Sequence, residues 1–140
     1  MSEAPREERE PVQDEEAALL ELAERETAYG LLRRAQGLLR RRHHAQAAIL
    51  LERARRLEPG KGSIVEALAR AYYNSGQHAQ AVDAFEELLT IDPSTAYGHY
   101  GLGLSLKKVG RQTEARTHLR LAVAMAPDSE LYRGALARVG

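Results

Sequence analysis

Cysteine is absent from these 140 residues, which excludes disulfides, a thiolate nucleophile and any cysteine-ligated metal, and fits a reducing compartment. No apolar run approaches the roughly 18–20 residues that cross a bilayer, and the opening MSEAPREEREP is charged where a secretory signal needs an apolar core. The expectation is a cytoplasmic protein with no membrane segment. Lysine is scarce, three against 17 arginines, a bias that a GC-rich genome produces. Hydrophobic residues make up 44% and charged ones 29%, the ordinary balance of a soluble chain with one modest core.

The short motifs that signal chemistry are also missing. PGKGS (59–63) lacks the earlier glycine, the Ser or Thr after Lys61 and the preceding strand of a phosphate loop. GLGLSL (101–106) has Leu106 where a dinucleotide site needs a third glycine. His43 and His44 are adjacent and diverge by about 100° on a helix, with no acid or histidine four residues on to complete a metal pair. His78, His99 and His118 stand far apart without local partners and read as turn or surface histidines. No nucleophile elbow or Ser-His-Asp grouping can be assembled. These patterns predict no enzyme, no cofactor and no metal.

What is present begins with a division of charge. Residues 1–26 carry ten acids against three bases, a charge of −7, and residues 27–140 carry ten acids against 17 bases, a charge of +7. Residues 1–13, with two prolines and little to bury, read as a disordered acidic tail. From Asp14 the leucines and alanines adopt helical spacing (Leu19, Leu22, Ala23, then Leu31, Ala35, Leu38), with acids in the first turn where the helix dipole favours them. Residues 14–27 form a helical extension, and the sequence leaves open whether 14–41 is one helix or two.

Further on, positions recur at intervals of 34: Pro59, Pro93 and Pro127; Ala47, Ala81 and Ala115; Leu51, Phe85 and Leu119; Gly76 and Gly110. A small residue where two helices cross, a large one a turn later, and a proline to end the helix describe a unit that buries one face only against a copy of itself. With these positions the chain resembles the tetratricopeptide repeat family, whose 34-residue unit is two antiparallel helices with a W-x2-L-G-x2-Y…A-x3-F…P pattern. Leu68, Ala69 and Tyr72 stand at the L, G and Y places of one copy, and Leu102, Gly103 and Leu106 at those of the next. The resemblance implies an all-α, right-handed solenoid of three repeats, 28–61, 62–95 and 96–129, together a domain over 28–129, in a small bacterial-type member. Residues 130–140 begin like a fourth first helix and read as a capping helix.

Several positions depart from the pattern. Arg34 stands where a core leucine is expected, Arg42 replaces the turn glycine, and His99 occupies the Trp or Leu place. Ser63 with Glu66 reads as a capping box that opens the second repeat.

In that family the first helix of each repeat lines a concave groove. The matching places here are Tyr29, Leu32, Gln36, Leu39 and Arg40; Ser63, Glu66, Arg70, Tyr73 and Asn74; Tyr97, Tyr100, Leu104, Lys107 and Lys108. Four of the protein's six tyrosines fall there, and cations outnumber acids four to one. Tyrosine supplies contact area at low entropy cost, and arginine supplies charge-assisted hydrogen bonds. Gly98 and Gly101, each unfavourable in a helix by roughly 1 kcal/mol, are expected to open space for a partner between Tyr97 and Tyr100. The carboxylate clamp that some members use on chaperone tails is missing, because Leu32, Gln36, Ala67, Tyr97 and Gly101 occupy its places.

The resemblance therefore implies an adaptor that binds a peptide or helix of another protein, acidic with apolar anchors. Two alternatives stand beside it. The acidic head, held near the basic body at a millimolar-order effective concentration, is a candidate for self-association as a homodimer or for autoinhibition. Tyrosines among cations are also compatible with RNA or single-stranded DNA, the weakest reading.

Overall fold

The computed structural model describes residues 13–22 and 27–139, and the tail assigned to 1–13 lies outside them except for position 13, which opens a helix. The helices are α1 (13–22), α2 (Ala28–Arg40), α3 (His44–Leu57), α4 (Gly62–Asn74), α5 (His78–Ile91), α6 (Ala96–Lys108), α7 (Gln112–Met125) and α8 (Glu130–Val139). Pairs α2–α3, α4–α5 and α6–α7 form hairpins, each packed on the next, and α8 packs on α7 and α6. The first helices of the hairpins start at 28, 62 and 96, so the 34-residue interval holds in space. The result is an all-α solenoid of helix hairpins with flanking helices.

The repeated positions do what their chemistry requires. Ala47, Ala81 and Ala115 are wholly buried, as are Leu51 and Leu119, and Phe85 is nearly so. The residues before the three prolines, Glu58, Asp92 and Ala126, are drawn out of helical geometry, with φ near −140° and positive ψ. Proline clashes with a helical neighbour on its N-terminal side, and each second helix stops there.

Local chemistry also explains the departures. Arg42 adopts φ 64°, the left-handed conformation of Gly76 (81°) and Gly110 (86°). The same turn bond closes all three hairpins: the amides of His43, Gln77 and Arg111 donate to the carbonyls of Leu38, Tyr72 and Leu106 at 2.9, 2.8 and 2.9 Å. The first hairpin thus keeps its course with a strained residue. Arg42→Gly is expected to raise the unfolding free energy by about 1 kcal/mol, read as a higher urea midpoint at unchanged slope.

Arg34 is exposed, whereas its counterparts Leu68 and Leu102 are buried. Among the described residues no preceding hairpin covers that side of α2, so a charge is tolerated. The capping box at Ser63 is not formed. The N-cap of α4 is Lys61, without a side-chain bond. Caps occur instead at Thr27 and Thr95, whose hydroxyls accept from the amides of Gly30 (2.9 Å) and Gly98 (3.2 Å), and at Ser129, which accepts from Tyr132 (3.2 Å). Positions 27, 61, 95 and 129 share one repeat register, and Ser63 lies two places past it. Thr27 has extended backbone angles, so α1 and α2 are separate helices. All of α1 is exposed.

Candidate functional site

The first helices of the hairpins share a face, and on it α4 and α6 enclose a hollow of about 40 Å³, room for the tip of one side chain. Six of the expected groove places line it, Arg70, Tyr73, Asn74, Tyr97, Tyr100 and Leu104, together with Gly101, which was expected to open space there. Phe85, from α5 beneath, forms part of the wall. The other nine places, Leu32, Leu39, Ser63 and Glu66 among them, do not line it. Tyr29 is 67% exposed on α2, with the Arg33 guanidinium 5.8 Å above its ring. Gln36, Arg40 and Lys108 are exposed, and Lys107 is half-buried near the end of α6.

The rings form a chain of contacts. Phe85 meets Tyr97 edge-on at 6.1 Å, Tyr97 lies 6.2 Å from Tyr100, and Tyr100 stacks on Tyr132 of α8 at 4.8 Å. Tyr132 was expected only as part of the cap, so α8 extends the aromatic face as well as closing the core. Arg138 acts on Tyr100 from the same helix. It lies 34 residues after Leu104, so carrying the groove register one helix further would have found it, whereas Tyr132 is off that register.

Burial sets the electrostatics. It is the main cause that pushes Tyr97 up to about 12, with Arg70 opposing and Glu66 reinforcing. Tyr73 is also raised by burial, and Tyr100 by burial and then Tyr73, with Arg138 opposing. At neutral pH these phenols are protonated, so the site offers apolar ring faces, neutral hydroxyls and the cations Arg70 and Arg138. Among the described residues no carboxylate forms a salt bridge with Arg70, Lys107 or Lys108.

The glycines serve a different purpose from the one expected. A Cβ on Gly101 would fall 2.2 Å from Cε1 and Cζ of Phe85, and one on Gly98 would fall 2.6 Å from Cγ2 of Thr95 and 3.0 Å from Leu89. The protein's own side chains fill that space, so these glycines let α6 settle on α5. Gly103 does the same against Leu119 of α7, with 2.6 Å to Cγ.

The histidine reading is corrected too. His99 is buried, at 8% exposure, and its ring stacks on His118 of α7 with the two Nδ1 atoms 3.1 Å apart. Its Nε2 lies 3.3 Å from the carbonyl oxygen of Pro93, which can only accept, so that nitrogen carries the proton. In that tautomer the bare Nδ1 of His99 accepts from His118 Nδ1–H. Burial first, then His99, holds His118 below the usual histidine range, with Glu114 opposing. Because the folded value lies under the unfolded one, this contribution to stability is complete above about pH 6.5 and declines as pH falls toward the depressed value. Urea midpoints are expected to fall between pH 7.5 and 5, and His118→Gln to flatten the part of that slope that His118 causes. Among the described residues no group of three or more His, Asp or Glu could hold a metal ion, and no helix is long and apolar enough to cross a membrane.

Comparison with known proteins agrees with this architecture. A co-chaperone of Cryptococcus neoformans, "Tetratricopeptide repeat and J domain-containing co-chaperone DNJ1", is 31% identical over 104 residues, 74% of this chain and 20% of that protein. The mouse Superkiller complex protein 3 is 28% identical over 97 residues, 69% of this chain and 6% of its own length. The chain therefore spans a fifth or less of these curated relatives. Among solved structures, the first TPR domain of Spaghetti (RPAP3), bound to the HSP90 peptide SRMEEVD, superposes with a TM-score of 0.76 over 80% of this chain and 89% of that one, at 13% identity. A family model described as tetratricopeptide repeat matches residues 32–96 and again 66–130. These matched spans contain all three hairpins but for the start of α2, and with the 34-residue register kept in both sequence and space, the chain belongs to the tetratricopeptide repeat family.

Proposed function

We propose that the chain is a protein–protein interaction module, an adaptor or scaffold that makes and breaks no bonds and holds a helix or extended peptide of a partner on the face shared by α4, α6 and α8. The observation that carries this reading is the aromatic hollow between Tyr73, Tyr97, Tyr100 and Leu104, flanked by Arg70 and Arg138. An apolar side chain fills the hollow, while acidic neighbours meet the cations. Buried ring contacts supply most of the affinity, and the cationic rim speeds encounter and makes binding sensitive to salt. Three repeats over 28–129, an extension over 14–27, a cap over 130–140 and a tail over 1–13 complete the reading, in a bacterial-type protein of the cytoplasm.

The Spaghetti (RPAP3) domain holds a peptide containing acidic and apolar residues, which supports the same ligand chemistry by analogy of fold. Chaperone-tail binding is not carried over, since Leu32, Gln36 and Ala67 stand at clamp places.

Selection from a displayed library of acidic, leucine-containing peptides tests this. The protein should enrich a defined sequence set that weakens in added salt. Tyr73→Ala with Tyr100→Ala should reduce affinity for a selected peptide about 30-fold, roughly 2 kcal/mol. Equal enrichment by that variant, or tighter binding to a single-stranded RNA oligonucleotide than to any peptide, would overturn the proposal.

A further inference from the structure

Among the described residues nothing covers α1. Leu19, Leu20 and Leu22 are 64%, 71% and 53% exposed, and residues 13–22 include four acids, Asp14, Glu15, Glu16 and Glu21, with no base. Leucines beside carboxylates are the ligand chemistry that the hollow and its cations fit, and the cations Arg70 and Lys107 lack carboxylate partners among the described residues. Resting on the groove reading above, we infer that the groove of one copy takes α1 of a second copy, and that the reciprocal contact makes a two-fold dimer.

Reach decides between the chain's own helix and a neighbour's. Five residue steps separate Leu22 from Thr27, at most roughly 18 Å of chain. The hollow lies between α4 and α6, more than one helix spacing of about 8–10 Å beyond α2. Tyr73 also sits about three turns into α4 and Tyr100 about one turn into α6, at 1.5 Å of rise per residue, and a docked helix rides another spacing above the surface. Together these displacements come to roughly 20 Å, so α1 lies along its own groove only with the connection almost fully extended, at an entropic cost that favours a neighbour's groove. A second copy carries no such tether. Each dimer would contain two equivalent contacts, so a modest single contact acts twice in one complex. The opposite charges of head and body steer the copies together and make the association weaken with salt.

Analytical ultracentrifugation of the full chain tests the inference. The wild type is expected to sediment as a dimer that dissociates on dilution and in high salt. Leu19→Glu with Leu22→Glu alters only exposed positions, and Arg70→Glu with Lys107→Glu alters the rim. Each pair should weaken dimerisation at least about tenfold and leave the thermal melt unchanged when it is compared at a dilution where the wild type is monomeric. Mixing the two variants should give a heterodimer, weaker than the wild-type dimer but stronger than either variant's own, since one intact groove meets one intact α1 while the reciprocal contact is lost on both sides. A wild type that stays monomeric at every concentration, including one whose α1 amides are protected from exchange by its own groove, overturns the inference. So does a dimer that survives both variants. If library selection succeeds while the chain stays monomeric, the groove reading stands and the self-association fails. If selection enriches nothing as well, both fail.

Discussion

Phe85→Ala is expected to lower the unfolding free energy by about 3–5 kcal/mol, a large part of the roughly 5–15 kcal/mol that holds a domain of this kind together. Phe85 is the only phenylalanine of the chain and is 2% exposed. It stands on α5, meets Tyr97 of α6 edge-on, and forms part of the wall of the hollow. Its removal leaves a cavity over Gly101, where the glycine offers no side chain to fill it. In a solenoid each unit is held only by its neighbours, so the loss falls on the junction between the second and third hairpins. Hydrogen exchange should accelerate in α6, α7 and α8 before it does in α2 and α3. A cost below about 1.5 kcal/mol, the range of a volume-conserving swap, or a uniform rise in exchange, would show that Phe85 does not join the two hairpins.

The fold was legible because its determinant is written three times. Alanine, a large apolar residue and proline at a 34-residue interval specify a hairpin and its stacking together, and each copy checks the others. Single features misled where one residue type has two uses. Gly101 could open a surface or relieve a contact, and only the position of Phe85, sixteen places away on another helix, decides between them. Ser63 with Glu66 matched a capping pattern, but the register set by Thr27, Thr95 and Ser129 places the cap at Lys61. Six of the hollow's eight lining residues were legible from repeat position, whereas Tyr132 was not, since it reaches Tyr100 through the packing of α8 and not through the groove register. His99 and His118 lie 19 residues apart on crossing helices, a pairing that depends on how α6 meets α7 and leaves no trace in local spacing.

Gly101→Ala is expected to destabilise the protein by about 1–2 kcal/mol, although the same change in an open helix would add about 1 kcal/mol. Two effects compete. Alanine narrows the unfolded ensemble and favours the helix, but its Cβ would sit 2.2 Å from two ring carbons of Phe85, closer than atoms can approach. Either the ring leaves its rotamer or α6 lifts from α5, and overpacking of this kind costs about 1–3 kcal/mol, which exceeds the gain. Gly37 supplies the control. A Cβ there meets nothing nearer than Nη2 of Arg40 at 3.8 Å, so Gly37→Ala should stabilise by about 0.5–1 kcal/mol. The cause can be isolated with Phe85→Leu, which removes the ring from above residue 101. Gly101→Ala should be less destabilising on that background than on the wild type, a coupling of at least about 0.5 kcal/mol in a double-mutant cycle read from urea midpoints. Additive losses would mean that the helix backbone and not the ring resists the methyl group, and a gain on the wild-type background would mean that the space over Gly101 is free for a partner after all.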